Sequence, residues 1–190
     1  MTAGKCIIVS APSGAGKTTI VRHLLGRGLG LEFSVSATSR PRRGHEEDGK
    51  DYFFISEEEF RRRIAADAFV EWEEVYPGRF YGTLRSELAR IWAMGGHPIF
   101  DVDVVGGLRL KEIFGGKALS VFVSPPTIEA LEQRLQLRGT ETPESLRVRM
   151  GKAAEELSYK GRYDYVLIND DMNQACEEAY EAVRGFLQAP

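Results

Sequence analysis

At 190 residues and 43% hydrophobic, the chain is long enough to bury one full core, with room for a small inserted lobe. A formal net charge of −3 argues against nonspecific affinity for nucleic acid, so any anion must be caught by local clusters. No apolar run approaches the roughly 20 residues needed to cross a bilayer, and Met1-Thr-Ala-Gly-Lys5 lacks signal-peptide anatomy, so no membrane partner and a cytoplasmic location are expected. Cys6 and Cys176 have no metal-ligand spacing and read as small core residues.

Residues 5–10 read as a buried strand and residues 17–26 as the helix it feeds. Between them, Ser10-Ala-Pro-Ser-Gly-Ala-Gly-Lys-Thr-Thr19 matches the phosphate-loop pattern Gly-x-x-x-x-Gly-Lys-Ser/Thr, except that Ala11 takes the first glycine's place. Ala11, Pro12, Ser13, Gly14, Ala15, Gly16, Lys17, Thr18 and Thr19 are therefore the candidates for holding nucleotide phosphates. Gly14 and Gly16 free the backbone to aim successive N–H groups and the helix N-terminus at one anion, and Lys17 adds a point charge. Ala11 is tolerated if the backbone there needs no positive φ.

Downstream, Phe33–Ala37 reads as a short strand that runs into Thr38-Ser-Arg-Pro-Arg-Arg-Gly44, where Pro41 and Gly44 forbid a regular helix. Tyr52–Ile55 and Phe69–Trp72 read as further strands, with a helix between them opened by a Ser56/Glu59 capping box. After a turn at Pro77-Gly78, Thr83 is the expected N-cap of a helix bearing Leu84, Leu88 and Ile91. The short strands and aromatics crowded between residues 33 and 96 mark an inserted lobe. Strand-helix alternation resumes with Pro98–Asp103, Ala118–Val123 and Tyr163–Ile168, each apolar enough for a central parallel strand. Ile128, Leu131 and Leu135 line one later helix. Thr142-Pro143 starts another, and its Arg147 and Arg149 make it read as a mobile basic flap rather than core. A last helix carries Met172, Cys176, Ala179, Val183 and Phe186 on its apolar face.

Arg40, Arg42 and Arg43 offer planar, permanently charged forks suited to a phosphate, and the phenols of Tyr52 and Tyr81 can add neutral donors, which points to a second anion site. Ser36, Glu71, Thr83, Asp101 and Asp103 lie near those arginines in this layout. Guanine presents N1–H and an exocyclic amino group as donors with O6 and N7 as acceptors, so carboxylates and hydroxyls together match its edge. Strand alternation puts Asp101 and Asp103 on one side, at the end of a parallel strand where α/β folds keep ligands. His23, His45 and His97 have no spacing partner.

Taken together, Ser10–Thr19, Phe33-Ser-Val-Ser36 with Thr38-Ser-Arg40, Asp51-Tyr-Phe-Phe54, Glu71-Trp72, Tyr81-Gly-Thr83, Asp101-Val-Asp103, Arg138-Gly-Thr-Glu-Thr142 and Asn169-Asp-Asp171 resemble guanylate kinases, in that family's order and over almost the whole chain. The resemblance implies an α/β P-loop fold of three layers with a central parallel sheet. Its core would be residues 1–32, 97–137 and 159–190, with a mixed α+β GMP-binding lobe at 33–96 and a helical lid at 138–158. It implies ATP and GMP as substrates and Mg²⁺ as cofactor. Arg40, Arg43, Tyr52 and Tyr81 would hold the phosphate of GMP, and Ser36, Glu71, Thr83 and Asp103 would read guanine. Arg134, Arg138 and Arg149 would close over ATP and join Lys17 and Arg40 in stabilising the transferred group. Thr18 would bind Mg²⁺, Asp101 would reach it through water, and Asn169 would lie near adenine.

Two departures from the family stand out. The arginine loop usually reads Arg-x-Pro-Arg-x-Gly-Glu, whereas Arg40-Pro-Arg-Arg-Gly-His-Glu46 moves proline and glycine one place earlier, leaving Arg42 or Arg43 as the second clamp. The hairpin Val75–Tyr81 is one residue longer, with a tip expected to face solvent and little functional effect. A catalytically dead phosphopeptide-binding module would predict a ruined phosphate loop, while Gly16, Lys17 and Thr18 are all present. A P-loop kinase for another acceptor is disfavoured by the acids Glu71 and Asp103.

Overall fold

A computed structural model of the chain describes residues 4–44, 46–137 and 143–189. Five strands, numbered in chain order, form an all-parallel sheet: β1 (Cys6–Ser10), β2 (Leu31–Phe33), β7 (His97–Val102), β8 (Ala118–Ser124) and β9 (Tyr165–Ile168), in the order β2-β7-β1-β8-β9. Every residue of β1 is buried, because both faces of a parallel sheet are covered by helices. Alternation sorts its side chains. Ile7 and Val9 meet Ile20, Val21 and Leu24 of α1 (Lys17–Leu25) and Cys176, Ala179 and Val183 of α7 (Met172–Gln188). Cys6 and Ile8 turn to the other face, against Leu88 of α3 (Arg85–Ala93) and Leu110 of α4 (Val104–Phe114). The result is the three-layer α/β architecture that the family resemblance implies, around the parallel strands expected from the apolar runs.

The second sheet is mixed. It contains β3 (Ala37–Thr38), β4 (Phe53–Phe54), β5 (Phe69–Tyr76) and β6 (Arg79–Leu84), ordered β4-β3-β6-β5, with only the β3–β4 pair parallel. Helix α2 (Glu57–Ala65) covers it through Phe60, whose ring stacks on Phe69 at 4.4 Å and on Phe80 at 5.3 Å. Ser56 caps α2 as expected, its Oγ accepting from Glu59 N–H at 3.1 Å, while the Glu59 carboxylate turns to Arg62 and Arg63.

Three local expectations are revised. Phe33–Ala37 is not one strand: Phe33 pairs with Ile99 in the parallel sheet, and the chain changes sheets across Ser34–Ser36 before β3 begins. Thr83 is not a helix cap, because it is still in β6 and its hydroxyl is turned to Glu71, leaving Leu84 at the cap position with no side-chain bond. The basic helix α6 (Pro143–Ser158) is docked, not loose. Ala153 is buried in the main core, Leu146 and Met150 pack beside it, and Leu157 joins the cluster around Phe122 and Tyr163. The apolar positions of α6 recur at helical spacing, so its inner face is core while arginines occupy the rest. Arg138 and Thr142 fall outside the described residues. Among the described residues no helix is long and apolar enough to cross a membrane.

Candidate active site

The phosphate loop joins β1 to α1, where the strand ends and the helix presents unbonded N–H groups. The amide of Ala15 folds back onto the carbonyl of Pro12 at 3.1 Å, and Gly14 and Gly16 both take φ of 98°. A Cβ at Gly16 would collide with the Asn169 amide and approach Met172 Cε to 2.7 Å. Gly16→Ala should therefore destabilise the fold by about 2 kcal/mol or more, read from the urea midpoint. An unchanged midpoint would show that the loop relaxes around the added methyl. Ala11 is buried and lies outside the positive-φ region, since among the described residues Asp67 is the one non-glycine there. The missing first glycine thus leaves the loop's curl intact.

Lys17 Nζ donates to Val102 O at 3.0 Å and forms an ion pair with Asp101, placing its charge at the end of β7. Thr18 Oγ1 lies 3.4 Å from Asp101 Oδ2. This hydroxyl and carboxylate are hard oxygen donors of the kind Mg²⁺ accepts alongside water and phosphate oxygens. Two residues beyond Asp101, Asp103 caps α4, its Oδ1 accepting from the N–H groups of Val105 and Gly106 at 2.9 and 3.0 Å. Ser10 Oγ donates to Asp103 O at 3.1 Å, tying the loop's first residue to this cap.

Opposite the loop stands the smaller sheet. A cleft of about 430 Å³ lies between them, lined by Ala11, Pro12, Ser13, Gly14, Gly16, Lys17, Thr18 and Thr19 on one side and by Ser36, Arg43, Tyr52, Glu71 and Tyr81 on the other. Asp101 and Asp103 lie at its floor, and Arg149 reaches in from α6 to donate to Ser13 Oγ at 2.7 Å. Tyr52 and Tyr81 meet edge-on at 6.0 Å, and burial pushes the Tyr52 phenol up to about 12, so it remains a donor at neutral pH. Arg43, rather than Arg42, lines the cleft.

Several expected residues lie behind this surface. Arg40 is buried, its Nη1 and Nη2 donating to Glu46 at 2.7 and 2.5 Å, with its guanidinium 4.9 Å from the Tyr52 ring centre. Those hydrogen bonds hold the Glu46 carboxyl at about 2 and raise the Arg40 pKa further, so the pair stays ionised. Glu46 also accepts from the Arg43 amide at 2.8 Å, which sets the loop's course. Thr83 is wholly buried and donates to Glu71 Oε1 at 2.7 Å. Ala15 and Asn169 are buried together, Asn169 Nδ2 donating to Ala15 O at 2.7 Å while its Oδ1 has no hydrogen-bond partner. Arg134, on α5 (Ile128–Leu137), donates to Asn169 O and Asp170 O at 2.9 and 3.3 Å. It braces the loop between β9 and α7.

Sequence reading missed six lining residues: Gly82 and Val102, which sit between predicted ones, Val75 and Tyr76 at the β5–β6 hairpin, and Lys152 and Glu156 on α6. A signal existed for the last two, because Arg149, Lys152 and Glu156 share one helical face at i, i+3 and i+7. The hairpin was expected to be functionally inert, and its tip is indeed exposed, yet its base forms part of the cleft wall. Burial is the largest influence on two acids here. It drives Glu71 up to about 7 against the hydrogen bond from Thr83 and with help from Asp103, and it drives Glu156 to about 7 against Lys152.

A phosphate loop facing an acid-and-phenol pocket across one cleft is the arrangement that comparison with known proteins then explains. The family model for guanylate kinase matches residues 3–186. A guanylate kinase from Bacteroides fragilis is 51% identical over 183 residues, 96% of this chain and 90% of that one, and a guanylate kinase from Porphyromonas gingivalis is 49% identical over 184 residues, 96% of this chain and 98% of its own. The crystal structure of guanylate kinase from Anaplasma phagocytophilum superposes with a TM-score of 0.79 at 28% identity, covering 100% of this chain and 89% of that chain. This chain belongs to the guanylate kinase family.

Proposed function

We propose that the cleft between the phosphate loop and the smaller sheet aligns ATP and GMP for direct phosphoryl transfer, giving ADP and GDP, the reaction of the guanylate kinase family. The observation that carries this assignment is the pairing, across one cleft, of Lys17 and Thr18 with Glu71, Asp103, Tyr52, Tyr81 and Arg43.

The acceptor oxygen belongs to a phosphate monoester, whose second pKa is about 6, so it is already largely ionised near neutral pH and requires no general base. The work left to the protein is alignment of two anions and stabilisation of the charge that develops between them. On the donor side, the loop amides not bonded within the loop, at Gly14, Gly16, Lys17 and Thr18, and the Lys17 ammonium bind the β- and γ-phosphates. Arg149, anchored on Ser13, brings a guanidinium over the same phosphates. Thr18, with Asp101 behind it, holds Mg²⁺, which when bound neutralises phosphate charge. Asn169 supports the loop from behind, its Nδ2 donating to Ala15 O.

On the acceptor side, Arg43 and the Tyr52 and Tyr81 hydroxyls take the GMP phosphate, with Arg40 adding charge from beneath while Glu46 fixes its plane. Ser36, Glu71 and Asp103 face the guanine edge. Thr83 orients Glu71, a positioning role that differs from direct base contact. Enclosure between loop, lobe and α6 keeps water from the γ-phosphate.

An ADP-release assay with GMP, AMP, CMP and UMP as acceptors tests the assignment directly. GMP should exceed each alternative by at least about 100-fold in kcat/KM, because the wrong base leaves the buried Glu71 without its matching donors. Equal rates, or a preference for another base, would refute it.

A further inference from the structure

The hairpin between β5 and β6 does more than close the cleft wall. Tyr76, 45% exposed, sits at its base with its ring under the ammonium of Lys152, which lies 5.5 Å from the ring centre. Lys152 is on α6, and Glu156 Oε1, one turn along the same helix, holds the ammonium at 3.8 Å. That is the range in which a cation and an aromatic face attract one another. The same face of α6 carries Arg149, seated on Ser13 of the phosphate loop. One helix face therefore touches both halves of the site: its Arg149 end rests on the donor loop, and its Lys152 turn rests on the sheet that bears Glu71 and Tyr81.

We propose that Tyr76 and Lys152 form a strap across the mouth of the cleft, and that through it GMP bound to the lobe positions α6 and Arg149 over the donor nucleotide. Both are positioning residues. Tyr76 acts on the donor site only through Lys152 and the rigid turn of helix that joins Lys152 to Arg149. The contact is made by the segment that leads into the Pro77-Gly78 turn. GMP seated on the lobe steadies the wall that holds Lys152, and the donor then meets an α6 whose Arg149 is held over the phosphate loop.

The inference rests on the assignment of the cleft to GMP and ATP, which ADP release by the wild-type enzyme tests separately. The strap is tested on the whole chain by calorimetric titration of the non-hydrolysable analogue AMP-PNP with Mg²⁺, with and without saturating GMP. The readout is the ratio of the two Kd values, in which any loss common to both conditions cancels. GMP should tighten AMP-PNP in the wild type. Tyr76→Ala and Lys152→Met should each shrink that ratio by about two- to fivefold, the worth of one such contact. The double variant should lose no more than either single one, whereas Tyr76→Phe, which keeps the ring face, should retain the wild-type ratio. Tyr76 is half exposed, so its replacement should leave the fold intact, as thermal melts can verify. A wild-type ratio of one, an unchanged ratio in both single variants, or losses that multiply in the double variant would each overturn the strap.

Discussion

Glu71→Gln should raise the KM for GMP by about 100-fold and, at about pH 8, make the protein more stable than the wild type. Both effects come from one burial. Glu71 is 8% exposed, and removal from water lifts its carboxyl from 4.5 to about 7, opposed by the Thr83 hydroxyl and reinforced by the nearby Asp103. A carboxyl whose folded pKa is raised binds its proton more tightly in the native state. Its contribution is therefore neutral below pH 4.5, erodes as pH rises toward 7, and is fully unfavourable above that, by roughly 2–3 kcal/mol. Glutamine still accepts from Thr83 and carries no charge, so it escapes this penalty. The melting temperatures of the two proteins should coincide near pH 4.5 and separate by about 5 °C at pH 8. Activity moves the other way. On the proposed assignment the ionised carboxylate accepts from guanine N1–H and the exocyclic amino group, and an amide turned toward them offers one acceptor and one misplaced donor. Wild-type kcat/KM for GMP should consequently fall below pH 7, and this limb should vanish in Glu71→Gln, leaving only the descent near pH 6 that belongs to the substrate's own phosphate. A variant that loses affinity without gaining stability at pH 8 would show that Glu71 is not held ionised against its burial.

The same residue shows where sequence reading reaches and where it stops. The parallel core was legible because its strands are continuous apolar runs, and the phosphate loop because glycine and lysine at fixed spacing have few other uses. Glu71 and Asp103 were found as acids in the right strands. Their environment was not legible, since the acidity of Glu71 depends on Thr83, twelve positions away, and on Asp103, which arrives from the other sheet. Arg40 illustrates the same limit. Its charge was evident, but the carboxylate of Glu46 that occupies both ends of its fork appeared in the sequence only as the last residue of the arginine-loop motif. Helix α6 was read as a flap because its arginines were weighed above Leu146, Met150 and Ala153, whose spacing already described a buried face. Val75 and Tyr76 carried no comparable signal. Only the bend of the β5–β6 pair, with its register irregularity between Glu74 and Tyr76, brings them to the cleft.

Lys17→Met should reduce kcat by at least about 100- to 1,000-fold, the range seen when one preorganised charge or donor is removed from a developing anion. Methionine matches the length of the lysine stem, so the substitution deletes the ammonium with little change in packing. That ammonium rests on Asp101 and the Val102 carbonyl. On the proposed assignment, ATP binding exchanges part of this contact for the phosphates. The exchange is favourable because a triphosphate offers more charge than Asp101. It also keeps Lys17 in place through the reaction, since the ammonium can follow the γ-phosphoryl group with its stem still lying along the loop. In the variant, Asp101 loses its cation but keeps the Thr18 hydroxyl and remains 18% exposed, so unfolding should shift by only about 1 kcal/mol. Loss of turnover with the fold retained is therefore the expected result, read from ADP release and a urea melt on the same preparation. The loop amides remain, so ATP should still bind, with its KM changed far less than kcat. A kcat within tenfold of wild type would remove Lys17 from transition-state stabilisation and leave the loop backbone and Arg149 to carry it. Lys17→Arg distinguishes charge from shape: a guanidinium restores the charge but not the compact point that fits between Asp101 and the loop, so it should recover little of the lost rate.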